Sequence, residues 1–171
     1  MSKLYGPDPL PMTVDEHDAL AGLCELLPAN PVIVQIGAYI GASTVAMLST
    51  CQDAFIFSID IYPHREEMVN LIEAGLNFYQ CQRLLGDSVD IGEFWPIPAD
   101  LILIDGDHRY EAVVKDIKVW RDKVKPGGIL ALHDYIPNPQ PPIKGNVAKA
   151  VNELIRLRPI LLVERLIAFK M

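Results

Sequence analysis

The sequence predicts an α/β domain built on a largely parallel sheet. Short apolar runs rich in Val and Ile alternate along the chain with segments of helical apolar spacing. The residues best suited to chemistry, Gly37, Asp60, Asp87, Asp105, His108 and Asp134, each follow the end of such a run. Near the C-terminus the runs 160–163 and 166–169 flank Glu164-Arg165, as a pair of antiparallel strands would. Ligands of parallel sheets bind beyond the carboxyl ends of the strands, so these residues define one candidate site.

Bulk properties narrow the class. A chain of 171 residues suits one domain with one core. Half of the residues are apolar and 22% are charged, which describes a globular protein. We read residues 1–12 as an irregular arm and 13–171 as the domain. With 22 acidic and 15 basic residues the net charge is −7, which argues against a nucleic-acid partner held through phosphates. The apolar runs are too short to span a bilayer and no basic, apolar leader opens the chain, so a cytoplasmic protein without a membrane partner is expected. Cys24, Cys51 and Cys81 lack metal or disulfide spacing and read as small buried residues.

Thr13-Val-Asp-Glu16 has capping-box spacing and opens a helix to about Leu27, with Leu20, Leu23, Cys24 and Leu27 on one stripe. Pro28 to Pro31 stops it. Val32–Ile36 is a buried first strand. Gly37 and Gly41 then form a glycine turn into a second helix, with Ser43 and Thr44 at its start. Their G-x-x-x-G spacing is neither a dinucleotide fingerprint nor a phosphate loop, and leaves open both a nucleotide-type pocket and a tight structural turn. A second strand, 54–59, ends on Asp60. An acid about twenty residues past the glycine turn is placed to accept from a ribose diol, a helix N-cap being the alternative.

A helix over 64–74 and a strand at Cys81–Leu85 lead to Gly86-Asp87-Ser88. The strand 100–105 runs into Asp105-Gly106-Asp107-His108. A helix over 109–123 follows, with Val113, Val114, Ile117 and Trp120 on one face. Ile129–Leu132 is the fifth strand and delivers His133-Asp134-Tyr135. The Pro-rich stretch 136–143 cannot join a sheet and is expected over the strand ends as a loop or lid. A helix at 146–157 precedes the terminal strand pair. Trp95 and Trp120 read as core, Tyr39 and Tyr135 as pocket lining, and His17 and His64 as surface residues at helix starts.

The motifs VIVQIGAYIGAST, FSID and LLGDS resemble the glycine-rich, ribose-binding and adenine-side motifs of class I S-adenosylmethionine-dependent methyltransferases. The stretch IDGDHRYEAVVKDIKVW with KPGGILALHDY is similar to the branch of macrocin-type O-methyltransferases and cephalosporin hydroxylase-like proteins. The resemblance implies a single Rossmann-like domain with a seven-stranded, largely parallel sheet, helices on both faces and an antiparallel C-terminal pair. It also implies that the protein is an enzyme transferring a methyl group from S-adenosylmethionine to a hydroxyl of a small molecule.

Carried onto this sequence, the likeness places Gly37, Ala38, Gly41 and Ser43 at the methionine part of the cofactor. Asp60 and Ile61 fall at the ribose, and Asp87 and Ser88 beside the adenine. Gln35 stands where the family has an acid, and as a neutral amide would hold the cofactor ammonium more weakly. His108 matches the base and Asp105 the orienting acid. Asp105, His133 and Asp134 match a site for Mg²⁺ or Mn²⁺, although His133 replaces a usual acid and suits Mg²⁺ less. His108 as a helix cap, and His133-Asp134 as a pair fixing the lid, are the alternatives. Asp107 reads as a turn residue. A cofactor-binding domain without methyl transfer is the second functional reading. Acceptor specificity would come from the arm, from 135–145, or from a second subunit in a homo-oligomer.

Overall fold

The computed structural model describes residues 12–139 and 146–171. Most of the arm and half of the Pro-rich stretch, residues 140–143, therefore lie outside the described residues. The elements in chain order are α1 (Val14–Cys24), β1 (Val32–Ile36), α2 (Ala42–Thr50), β2 (Phe55–Asp60), α3 (Glu66–Glu73), β3 (Cys81–Leu85), α4 (Ser88–Glu93), β4 (Ala99–Ile104), α5 (Tyr110–Trp120), β5 (Val124–Leu132), α6 (Asn146–Leu154), β6 (Leu161–Val163) and β7 (Leu166–Lys170).

The strands form one seven-stranded sheet of order β3-β2-β1-β4-β5-β7-β6. The first five are mutually parallel, and β7 runs antiparallel to both of its neighbours. Every residue of β4 is buried, so its side chains divide by the strand period of two. Leu101 and Leu103 pack with Leu20, Leu23, Met47, Leu48 and Leu71 under α1, α2 and α3. Ile102 and Ile104 pack with Val113, Ile117, Trp120, Val147 and Val151 under α5 and α6. Helices thus cover both faces, as a parallel sheet requires.

The order of strands reverses between β1 and β4, which carry their connections to opposite faces. That reversal opens a crevice at the carboxyl ends of the strands. The capping box at α1 is present: Glu16 N donates to Thr13 Oγ1 at 3.2 Å, and Thr13 N to the Glu16 carboxylate at 2.8 Å. α1 ends at Cys24, three residues before the predicted stop, and α6 at Leu154. β5 begins earlier than predicted, at Val124: Val124 pairs with Ala99, and an irregularity absorbs Pro126-Gly127-Gly128 before regular pairing resumes at Ile129. α4 was not predicted. Among the described residues no helix is long and apolar enough to cross a membrane.

Candidate functional site

The site begins at the glycine turn. Gly37 has φ +80°, and a Cβ there would stand 2.2 Å from the carbonyl oxygen of Asp105. Only glycine lets the turn after β4 press against the turn after β1. Gly41, at φ +81°, is held by α3 in the same way, since a Cβ would meet Glu67 Cγ at 2.5 Å. Between them Tyr39 is left-handed at φ 48° and 64% exposed. Asp60 braces this turn. Its Oδ2 accepts from the backbone N–H groups of Ala38 (3.1 Å) and Tyr39 (3.0 Å), and its Oδ1 from that of Tyr62 (2.9 Å). It does not cap α3, which begins six residues later.

A cleft of about 1050 Å³ lies along the strand ends. Gly37, Ala38 and Ser43 form one part of its wall, Asp60 and Ile61 the next, and Asp87 and Ser88 the far end. Asp105 and His108 line it after β4. Two expected cofactor contacts fall behind the wall. Gly41 is buried under Glu67. Gln35 is fully buried on β1, where its amide donates to Ser43 Oγ at 2.8 Å and accepts from Thr44 Oγ1 at 3.2 Å. It fixes Ser43 from beneath instead of reaching the cleft. The network continues to the buried Glu67, whose carboxylate accepts from Ser58 Oγ (2.7 Å) and Arg83 Nε (2.9 Å).

The acid–base cluster is a closed ring of side chains. His133 Nδ1 donates to Asp105 Oδ1 (3.0 Å), and His133 Nε2 donates to Glu16 Oε2 (3.1 Å). Arg165 bonds Glu16 Oε2 and Asp134 Oδ1, both at 2.9 Å. Asp134 Oδ2 accepts from His108 Nδ1 at 2.8 Å. The ring closes where His108 Nε2 stands 3.5 Å from Asp105 Oδ1, an ion-pair distance that leaves this buried nitrogen without a hydrogen bond among the described residues. Asp134 adopts φ 55°, a conformation uncommon for a side-chain-bearing residue, and this turns its carboxylate back onto His108.

Charge in the ring is largely compensated. Burial opposes a charge on His108, but the carboxylates of Asp105 and Asp134 outweigh it and push its pKa up to about 10. His133 is raised as well, burial again being overcome by Asp105, Asp134 and Glu16. Burial works against ionising Asp105, Asp134 and Glu16, yet their histidine partners, aided by Arg165 and backbone donors, hold all three below the usual carboxylate range. His108 is therefore an imidazolium at neutral pH in the protein alone, not the neutral base its ordinary pKa suggests. Nor does it cap α5, whose N-cap is Arg109.

Asp105, His108 and Asp134 each offer an atom within 4.8 Å of the others, the spacing of ligands around one cation. Nε2 of His108, which has no hydrogen-bond partner among the described residues, suits a ligand once it has lost its proton, so these residues fit a divalent ion with His108 neutral. His133 does not belong to the set: it is 2% exposed and both ring nitrogens are committed to carboxylates. The candidate set therefore contains the histidine after β4 and not His133, which follows β5. Asp107 is a turn residue, as expected, accepting from Arg109 N at 2.9 Å and pairing with its guanidinium.

Other residues move in or out of the site. His17, read as a surface residue, lines the cleft beside Met12, and His64 lines it near Tyr39. Tyr135 leaves: its ring is buried and its hydroxyl donates to Asn152 at 3.1 Å. Asp116 of α5, unremarked in the sequence, lines the cleft although only 4% exposed. Burial pushes its pKa up to about 6, against a hydrogen bond from Ser88 and with help from Asp87 and Asp107. The signal for Asp116 was its position, since it falls on the same helical stripe as Val113, Ile117 and Trp120.

The sheet order, the glycine turn braced by Asp60 and the cleft over the strand ends define a class I S-adenosylmethionine-dependent methyltransferase. A family described as a methyltransferase domain matches residues 34–135, more than half of the chain, and the chain belongs to that family. Solved structures share the fold. A protein from Corynebacterium glutamicum superposes with a TM-score of 0.77 at 17% identity, over 95% of this chain and 82% of that one. The O-methyltransferase NovP gives 0.70 at 17% identity, over 92% and 79%. A Streptococcus mutans protein in complex with S-adenosylhomocysteine gives 0.68 at 14%, over 94% and 99%.

Proposed function

We propose that the protein methylates a hydroxyl group of a small molecule, with S-adenosylmethionine bound across the ends of β1, β2 and β3 and the acceptor held at the ring of Asp105, His108 and Asp134. One observation carries this reading. Asp105 Oδ1 is engaged by His133 and His108, whereas nothing among the described residues donates to Oδ2, on a residue that lines the cleft. The ring orients the carboxylate and leaves one oxygen for an incoming hydroxyl proton.

When bound, S-adenosylmethionine supplies an electrophilic methyl group on a sulfonium and leaves as the neutral thioether. Gly37 and Ser43 border the place of its methionine part, Asp60 accepts from the ribose diol, and Asp87 and Ser88 border the base. Asp105 aligns the acceptor hydroxyl and receives its proton as the new C–O bond raises that proton's acidity. The imidazolium of His108 holds Asp105 and Asp134 in place. A divalent ion would be held by Asp105, Asp134 and Nε2 of His108 only with His108 deprotonated, in place of the imidazolium; it would then lower the acceptor's pKa, and the imidazole in that set favours Mn²⁺ over Mg²⁺.

The test is a panel of phenolic, catecholic and sugar acceptors incubated with S-adenosylmethionine, with and without Mn²⁺, reading out S-adenosylhomocysteine. Turnover of a hydroxylated acceptor that Asp105→Asn abolishes is the expected result. Turnover surviving in Asp105→Asn at the wild-type rate contradicts the role of that carboxylate.

A further inference from the structure

The first turn of α1 brings a histidine to the cleft. Glu16 and His17 are neighbours there and take different directions. Glu16 is fully buried and turns inward, its carboxylate lying 3.1 Å from His133 Nε2 and 2.9 Å from the Arg165 guanidinium. His17, about 100° further round the helix, lines the cleft. Its backbone N–H donates to Thr13 O at 3.0 Å, continuing the helix from the capping box and fixing the backbone that carries the imidazole.

The contacts of Glu16 place this turn at the acceptor end of the cleft. His133, which Glu16 holds, also bonds Asp105 Oδ1 at 3.0 Å, so α1 begins one imidazole away from the carboxylate that aligns the acceptor. Asp60 and Asp87 follow β2 and β3, on one side of β1 in the sheet, whereas Asp105 and His133 follow β4 and β5 on the other. His17 therefore borders the part of the cleft that the cofactor's ribose and base do not fill.

The other three of the four histidines are engaged. His133 is 2% exposed with both ring nitrogens on carboxylates, and His108 Nδ1 is held by Asp134 at 2.8 Å. His64 stands at the ribose end, its Nε2 3.8 Å from Asp60 Oδ1 and its ring against Tyr39 and Tyr62. The His17 imidazole makes no hydrogen bond, ion pair or ring contact with the described residues, and it is partly exposed. The charged groups around it are Asp15 and Asp18 on its own helix, Glu164 of the β6–β7 turn, which Thr13 Oγ1 bonds at 3.0 Å, and Asp105 and the Asp107–Arg109 pair after β4. α2, packed on α1, begins Ala42-Ser43-Thr44 and adds none. Since none of these groups bonds His17, replacing it leaves their contacts in place.

We propose that His17 contacts the acceptor and carries its proton out of the site, the imidazole taking over the proton that the acceptor hydroxyl gives up and releasing it to solvent at the mouth of the cleft. This rests on the reading of the cleft as a methyl-transfer site. In that step the S–CH₃ bond of the sulfonium breaks and an O–CH₃ bond forms. The hydroxyl proton passes by way of Asp105 to a ring nitrogen of His17, a neutral thioether and a neutral ether remain, and water takes the proton from the imidazolium. Imidazole suits this because it gains and loses a proton near neutral pH.

The experiment follows the imidazole signals of the full chain by NMR, that of His17 being identified by its loss in His17→Gln or His17→Ala. S-adenosylhomocysteine is added first, then catechol or methyl glucoside as a probe of the acceptor's place. The His17 signal is expected to hold its position with S-adenosylhomocysteine alone and to move with a hydroxylated probe. In turnover of S-adenosylmethionine with an acceptor from the panel above, His17→Gln should lower kcat about tenfold or more and flatten its decline between about pH 8 and pH 5, with the Kd for S-adenosylhomocysteine within about twofold of the wild type. Added imidazole should restore part of the rate to His17→Ala. A merely structural His17 would neither shape the pH profile nor answer to imidazole. A His17 signal unmoved by both probes with S-adenosylhomocysteine bound, or a pH profile unchanged in the variant, overturns the inference. A wild type that does not bind S-adenosylhomocysteine overturns the reading of the cleft itself, and the two failures are thereby distinct.

Discussion

Glu16 and Arg165 are joined twice: the Arg165 backbone N–H donates to Glu16 Oε1 and its guanidinium to Oε2, each at 2.9 Å. This pair ties the first helix to the turn between β6 and β7, and through His133 and Asp134 ties both to the candidate active site. Glu16 is fully buried. Replacing it by Ala leaves His133 and Arg165 short of a counter-charge in a buried setting, at a cost of about 3–5 kcal/mol. Denaturant unfolding of Glu16→Ala measures it, and a loss below about 1 kcal/mol would show that the ring does not support the fold.

The two glycine turns make separate predictions. Gly37→Ala combines a left-handed backbone with a Cβ placed 2.2 Å from Asp105 O, so the turn after β4 must move. It is expected to cost at least about 2 kcal/mol and to weaken cofactor binding. Gly75, at φ +70°, has nothing within 4 Å of its would-be Cβ. Gly75→Ala should cost only about 1 kcal/mol, the left-handed penalty alone. Equal losses in the two variants would mean that the contact between Gly37 and Asp105 is not a constraint.

Most of this scaffold was legible in the sequence because strands buried on both faces are short apolar runs that stop at polar residues. The C-terminal ends of β1 through β5 were placed closely on that basis. α4 was missed because SVDIGE is under two turns long and contains a glycine. The start of β5 was missed because Pro126-Gly127-Gly128 reads as a stop, although one early pair and an irregularity carry the strand through it. Within the site, the strand-end acids were legible and their partners were not. The direction taken by His133 depends on Glu16, which is 117 residues away, and no local spacing reveals that contact. Both Glu16 and Asp116 did leave a trace, as charged residues on an otherwise apolar helical stripe.

Asp116 makes stability depend on pH in a defined direction. Its pKa is raised in the fold, to about 6 from an ordinary 3.8, so the folded state binds its proton more tightly than the unfolded state does. The contribution is fully present below about pH 4 and is lost as pH rises through about 6. A difference of about two pH units corresponds to roughly 3 kcal/mol at most. Relative to the wild type, Asp116→Asn should therefore gain about 1–3 kcal/mol between pH 4 and pH 7, as measured by urea unfolding at each pH. A constant offset between the two proteins over that range would show that Asp116 is not held protonated by burial.

Asp105→Asn separates chemistry from cofactor binding. The substitution removes the charge that orients the acceptor while leaving Asp60, Asp87 and Ser88 untouched. With an identified acceptor, kcat should fall by about 100-fold or more, and the dissociation constant for S-adenosylmethionine should change by no more than about threefold. Equal losses in both would place Asp105 among the cofactor contacts instead.

The central claim is that S-adenosylmethionine lies in the cleft with its ribose on Asp60. Calorimetric titration of the wild type and Asp60→Asn with S-adenosylmethionine tests it most directly. A single site in the wild type, weakened roughly 10- to 100-fold when the charged acceptor of the diol becomes a neutral amide, is the predicted result. No binding to the wild type at millimolar concentration, or equal affinity in the two proteins, would contradict it.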